Sequence, residues 1–314
     1  MKIIALMPVK NEAWVLKTTL PAIKRFVDEI IVLDGHSTDE TAALVRGQGG
    51  TVILQEGDQA RYSHWRQTLL NEARARGGTH LVWLDADEAL TSNFLPGFRE
   101  RLARMKPGQK LILDWLCLWK DARRVRADNS VWSVNPKDFI FCDDKVSAFS
   151  QTHLHEGRTP GPNTPDHQIR IPREQGAVLH FQFVPFDRFQ IKQAYIRCLE
   201  WVMKTAPAWE INEKYAITRD DPEARTVAIP EPWLEGITGL DDLKTPGLSW
   251  HYQGVLDYFE RYGIAFFEPI DIWGVPAFRD LFQKRLAREP QPAPDPSFVQ
   301  RMVRRVTRRL PVAL

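Results

Sequence analysis

The sequence predicts an α/β fold: a mostly parallel sheet flanked by helices, then a mainly helical C-terminal extension. Two observations carry this. Residues 1–90 alternate short apolar runs with amphipathic segments, the pattern of βαβ units. The composition is that of a globular chain: 314 residues, 43% apolar and 26% charged. That balance excludes a disordered chain, a collagen-like repeat and a coiled coil.

The elements follow in order. Residues 2–7, 29–34, 51–54 and 80–84 read as buried strands, and 12–26, 38–46 and 60–76 as helices. Pro21 is expected to interrupt the first helix. Ligands of such sheets sit beyond the carboxyl ends of the strands. Residues 9–12, 34–39, 56–58 and 85–88 are therefore the places to look for chemistry. From 109 to 183 the pattern is strand-rich, with strands expected at 110–118, 139–142, 168–171 and 177–183. Helices return at 188–204, 252–262 and 277–287. The expected division is 1–190, a helical extension at 191–287, and a linker with a terminal helix at 288–314.

Cys117, Cys142 and Cys198 are too few and too far apart for a disulfide framework, and fit buried thiols in a reducing compartment. The apolar run Ile3 to Val9 is too short to span a membrane and no cleavage site follows it, so a cytoplasmic protein is expected. The net charge of +2 hides an asymmetry. Residues 284–314 hold eight Lys/Arg and two Asp/Glu, and the rest of the chain 34 and 38. An acidic body argues against nucleic acid as partner. After a linker with four prolines in residues 288–297, residues 298–310 place Val299, Met302, Val303, Val306 and Leu310 on one helical face. Arg301, Arg304, Arg305 and Arg308 fall on the other, and Arg309 alone intrudes on the apolar arc. Such a helix suits an anionic membrane surface; docking on the protein's own surface is the alternative.

The sharpest motif is Asp85-Ala86-Asp87-Glu88, directly after a buried strand. Adjacent carboxylates repel unless a cation sits among them, and carboxylate and phosphate oxygens suit Mg²⁺ or Mn²⁺. The bland alternative is a solvated turn. The second motif runs from Asp34 through Gly35 to Thr41. There Asp34 can accept hydrogen bonds from a ribose or a base, Ser37 or Thr38 reads as a helix cap, and Asp39 as a charge in the helix's first turn.

The order Met7-Pro-Val-Lys-Asn-Glu12, Asp34-Gly-His-Ser-Thr-Asp-Glu-Thr41 and Asp85-Ala-Asp-Glu88 resembles glycosyltransferase family 2, over about residues 1–95 and more loosely to about 200. The resemblance implies a Rossmann-like GT-A fold and a nucleotide-sugar donor. It implies that Pro8, Asn11, Glu12, Asp34, Arg66 and Asp85 bind the donor and that Asp87 holds Mn²⁺ or Mg²⁺ between diphosphate oxygens. His180, ahead of a helix, matches a metal or diphosphate ligand of related GT-A families; a buried structural imidazole is the alternative. Two departures stand out. Gly35 occupies the place of a second acid that often recognises uracil, which leaves the base open, and Gln67 replaces an Asn that often follows the Arg.

His153 and His155 alternate on a strand-like stretch. Glu156 beside them falls where the family tends to place the base that deprotonates the acceptor, with Asp143, Asp144 and Asp166 as rivals. Trp83 is expected in the core, and Trp115, Trp119 and Trp132 lie where this fold builds its acceptor pocket.

The reading is a metal-dependent glycosyltransferase, inverting, at the inner face of the membrane. Its acceptor would be a glycan or lipid-linked saccharide of a bacterial surface. A nucleotidyltransferase would carry a glycine-rich loop where Pro8 to Glu12 has no glycine. A non-catalytic membrane scaffold would not need intact acids at 85, 87 and 156.

Overall fold

The computed structural model describes residues 1–56, 62–128, 133, 135–149, 157–219, 224–243 and 249–294. The expected tail helix, Trp132, His153, His155 and Glu156 lie outside these residues. The chain forms two compact units, Met1–Pro185 with Ala224–Lys244, and Phe186–Glu223 with Thr245–Leu314. The first unit thus ends at Pro185 and takes back a segment from within the expected helical extension.

In the first unit, β1 (Ile3–Val9), β2 (Glu29–Asp34), β3 (Thr51–Leu54) and β4 (His80–Trp83) run parallel in the order β3-β2-β1-β4. The sheet continues through β5 (Glu88–Leu90), β6 (Lys110–Cys117), β8 (Pro136–Cys142), β9 (Gln168–Arg170) and β10 (Ala177–His180). Antiparallel β8 lies between β4 and β6, β9 and β10 run parallel beside β6, and β5 is antiparallel on β10. β7 (Arg124–Arg126) and β11 (Thr226–Ala228) make a separate two-stranded sheet. The sheet is mixed and mostly parallel.

Period-two alternation assigns each face. Ile3, Ala5, Met7 and Val9 join the core of α1 (Ala13–Lys24), whereas Ile4 and Leu6 pack with Leu69, Leu70 and Ala73 of α3 (Tyr62–Ala75). Both faces are covered, which is why these strands read as continuous apolar runs. Helices α2 (Thr41–Gly47) and α4 (Phe98–Ala103) complete this unit.

Three expectations are corrected. Pro21 does not interrupt α1. A proline inside a helix loses one hydrogen bond and crowds the carbonyl four residues back, at a cost of about 3 kcal/mol, and buried Leu16, Leu20 and Ile23 offset it at about 2 kcal/mol each. The strand expected to run to 183 stops at His180, where Phe181–Phe183 turns into a 3-10 helix. Helix α2 begins at Thr41, so neither Ser37 nor Thr38 caps it, and Asp39 precedes its first turn.

The second unit packs α5 (Phe186–Val202), α6 (Ala208–Lys214), α7 (Trp250–Tyr262) and α8 (Pro276–Leu286) around Phe259, Phe267, Phe278 and Phe282. Buried Arg197 ties its loops, donating to the carbonyls of Asp271 and Tyr215 and to the Thr218 hydroxyl. Burial lowers its pKa to about 10. The three cysteines are free and buried. Among the described residues no helix is long and apolar enough to cross a membrane.

Candidate active site

Strand register collects the candidate residues at one edge of the first unit's sheet. Val9 pairs with Asp34, so the carboxyl ends of β1 and β2 are level, and Trp83 at the end of β4 pairs with Leu6, three residues short of the end of β1, so that Asp85 to Glu88 follow β4 on this side of the sheet. Antiparallel β8 carries this level to its own start, because Pro136 pairs with Asp114 near the end of β6. His180 then lies beside Cys117 and opposite Glu88.

The acid turn is held from several sides. Glu88 N–H donates to the Asp85 carbonyl (3.1 Å), Phe181 N–H to the Asp87 carbonyl (2.8 Å), and the Thr19 hydroxyl of α1 to the Ala86 carbonyl (2.8 Å). The three carboxylates then diverge. The Glu88 side chain is fully buried, Asp87 is 8% exposed and Asp85 43% exposed.

Glu88 accepts from both terminal nitrogens of Arg158 at 2.6 Å, from Trp115 Nε1 at 2.6 Å and from the Asp85 N–H at 2.8 Å. Arg158 also reaches Asp85 Oδ2 at 3.0 Å. Burial pushes the Glu88 carboxyl above its ordinary pKa, against the pull of Arg158. For Arg158, burial works against the charge, and Asp85 and Glu88 outweigh it, so the guanidinium is held more firmly charged than usual. The bland reading of this motif as a solvated turn therefore fails for Glu88.

Asp87 Oδ2 stands 3.5 Å from His180 Nε2. The imidazole stacks on Trp115, with ring centres 4.1 Å apart, and its Nδ1 is buried without a hydrogen-bond partner. A carboxylate oxygen and an imidazole nitrogen this close are donors that suit Mn²⁺. Among the described residues no three His, Cys, Asp or Glu side chains converge as a complete cage. The pair fits a cation that takes its remaining ligands from a diphosphate or water.

A cleft beside the turn is lined by Pro8, Arg66, Asp85 and Arg158 over Leu6, Trp83 and Leu84. Pro8, Arg66 and Asp85 thus meet at one cleft, and Arg66 also donates to the Gly157 carbonyl at 2.6 Å. Asp34 sits at the right edge but is buried, its Oδ1 accepting from Ser37 N–H at 2.8 Å. Asn11 and Glu12 are not among the residues lining the cleft. Asn11, with φ 54°, accepts from Thr38 N–H at 2.6 Å and gives its own N–H to Ser37 Oγ at 2.8 Å. Glu12 accepts from the Trp14 indole at 2.6 Å. Their contacts tie the β1–α1 loop to the β2–α2 loop, and this is the role of Ser37 and Thr38 in place of capping.

The rivals for the base fall at the other edge. Cys142 pairs with His80 at the start of β4, so Asp143 and Asp144 follow β8 at the amino end of the parallel strands. Asp143 is bound by Arg74 (2.7 Å) and Lys145 (2.9 Å), and Asp144 by the Ser147 hydroxyl (2.6 Å). Burial opposes ionisation of both, but these partners outweigh it and hold both carboxyls below their ordinary pKa. Asp166 precedes β9, whose Gln168 pairs with Lys110 at the start of β6. None of the three can reach the acid turn. Arg158 and the particular role of Trp115 were not foreseen; neither has a spacing that marks it.

Residues 4–108 match the family described as Glycosyl transferase family 2. An uncharacterized glycosyltransferase of Rickettsia felis is 41% identical over 92 residues, which are 29% of this chain and 30% of that protein. The chain therefore spans under a third of that relative's length. Among solved structures, glucosyl-3-phosphoglycerate synthase of Mycobacterium tuberculosis, in complex with Mn²⁺, UDP and glucosyl-3-phosphoglycerate, matches at 23% identity and a TM-score of 0.26. That match covers 37% of this chain and 44% of the other. S. aureus TarS matches at 15% identity and a TM-score of 0.36, over 69% of this chain and 43% of its own.

The buried pair makes a direct prediction. Arg158→Met leaves Glu88 without its cation and should cost about 3 kcal/mol of stability, read by urea unfolding. The loss should grow with pH, because the orphaned carboxyl must then ionise inside the protein. Adding Glu88→Gln should recover part of it; a loss under about 1 kcal/mol from Arg158→Met would show that the pair is not ionic.

Proposed function

We propose, for a chain whose residues 4–108 are a glycosyltransferase family 2 domain, that the protein transfers a sugar from a nucleotide-sugar donor to a hydroxyl acceptor. The observation that carries this is the Asp85–Glu88 turn, held beside His180 at the carboxyl edge of that domain's sheet. In this reading the nucleoside lies along the cleft of Pro8, Arg66 and Asp85, and the diphosphate faces Asp87 and His180. A divalent cation there, Mn²⁺ or Mg²⁺, would neutralise the departing diphosphate. The residues of the chain do the rest. Asp85 accepts from the ribose, Arg158 keeps the acid turn from repelling the donor, and Glu156 takes the acceptor's hydroxyl proton. The acceptor oxygen then attacks the anomeric carbon as the bond to the diphosphate oxygen breaks, with inversion. Elimination of Asp143, Asp144 and Asp166 by position supports Glu156. The acceptor is a glycan or lipid-linked saccharide of a bacterial surface, and the tail at 298–314 holds the enzyme against the inner face of the membrane.

Three measurements test this. Titrated calorimetrically with a panel of nucleoside diphosphates (UDP, GDP, ADP, CDP and dTDP), the protein should bind one of them with Mn²⁺ and lose it to a chelator. Asp87→Asn should abolish the metal-dependent gain, and equally tight binding with chelator present would remove the metal from the reading.

Glu156→Gln should depress turnover by about 10²–10⁴-fold with donor affinity near normal. Turnover at the wild-type rate would take the base role away from Glu156.

The full chain should sediment with anionic vesicles, and less so as salt rises, because each basic residue near such a surface is worth about 1 kcal/mol and is screened. Deletion of residues 298–314 should release it with activity on a soluble acceptor retained. Indifference to anionic vesicles at low salt would end the membrane part.

A further inference from the structure

The fold deals in two ways with a buried and a half-buried lysine. Lys110, fully buried in β6, gives its ammonium to the Gly161 carbonyl at 3.0 Å and to Asn163 Oδ1 at 2.8 Å. Lys137, second residue of β8, is half-buried at the opposite edge. Its Nζ lies 4.7 Å from the centre of the Trp115 ring, the ring on which His180 stacks and near which Arg158 stands at 5.6 Å. Among the described residues this ammonium has neither a hydrogen-bond acceptor nor a carboxylate at ion-pair distance. Glu88, the nearby acid, is already committed to Arg158, Trp115 and the Asp85 N–H. Burial lowers the Lys137 pKa and the Arg158 charge lowers it further.

Three N–H donors removed from much of the solvent, beside another cation, are costly unless an anion completes them. An indole face returns about 1 kcal/mol of that. We propose that Lys137 binds a phosphate oxygen of the substrate at the acid turn, with Arg158 fixed beside it as a second positive charge. A point charge with three rotatable donors suits a phosphate group. The inference rests on the reading of this edge as a nucleotide-sugar site. Two sources supply the same chemistry, the donor's diphosphate and a phosphate carried by the acceptor.

Calorimetry on the full chain with Mn²⁺ separates them, using the same nucleoside diphosphates, their nucleosides, and pyrophosphate. Lys137→Met should weaken the diphosphates about ten- to hundredfold, with nucleoside affinity and thermal midpoint unchanged. Lys137→Arg should restore most of the loss, and Lys137→Gln gives the same comparison if the Met variant does not fold. If the diphosphates are unaffected, inorganic phosphate titrated into the nucleoside diphosphate complex should bind wild type and not Lys137→Met, which assigns the residue to an acceptor phosphate. No change in either titration, or an equal loss for the nucleosides, overturns the proposal. Wild type that binds pyrophosphate through Lys137 but none of UDP, GDP, ADP, CDP and dTDP would sink the nucleotide-sugar reading and leave Lys137 as a phosphate ligand.

Discussion

The first unit's site depends on one buried carboxylate, Glu88. Its two oxygens take the Arg158 fork, the Trp115 indole and the Asp85 N–H together. Each partner fixes something else. The Asp85 bond closes the turn, Trp115 carries the stacked His180, and Arg158 anchors the segment that follows residue 156 to the sheet edge. A buried ion pair of this kind adds little net stability over an apolar substitute. What it supplies here is position: its own turn at Asp85, strand β6 at Trp115 and the segment of Arg158 are all placed within hydrogen-bond distance of one side chain.

The same constraint divides labour among neighbouring acids. Asp85, Asp87 and Glu88 are chemically near-equivalent, yet one is open, one nearly sealed and one fully buried. Glu88 has its charge matched internally. Asp85 shares Arg158 and still faces the cleft. Asp87 Oδ2 stands 3.5 Å from an imidazole nitrogen, and this is the pair proposed above to hold a divalent cation. Mutual repulsion in the turn is thereby relieved from two directions, by an arginine the chain supplies and by an ion it would recruit.

How much of this was legible in the sequence depended on the range of the interaction. Strands β1, β2 and β4 announce themselves because burial on both faces forces unbroken apolar runs, and Asp85 to Glu88 stands out because repulsion in so short a span needs a cause. Ser37 and Thr38 misled because hydroxyl residues ahead of a helix normally bond to it. Here they answer Asn11, 26 and 27 residues away. Pro21 misled because a local cost is visible in sequence and the compensating burial is not. Arg158 left no local trace, since its partner Glu88 lies 70 residues away. The rivals Asp143, Asp144 and Asp166 could be removed only by the direction of β8 and β9, which composition does not encode.

The family match covers residues 4–108, and the site extends beyond it. The acid turn belongs to the matched segment, but Trp115, Lys137, Arg158 and His180 all come after it, on β6, β8, β10 and the chain between them. The matched segment alone would present the three carboxylates with Arg66 beside Asp85 in the cleft, but without Arg158 and His180. The later strands insert antiparallel β8 against β4, and that reversal brings the start of β8, with Lys137, to the edge where the parallel strands end. Of the groups that set the charge of this edge, and with it the anions it can accept, Lys137, Arg158 and His180 therefore lie outside the matched residues. On the proposed function, specificity for donor and acceptor should be sought there rather than in the turn itself.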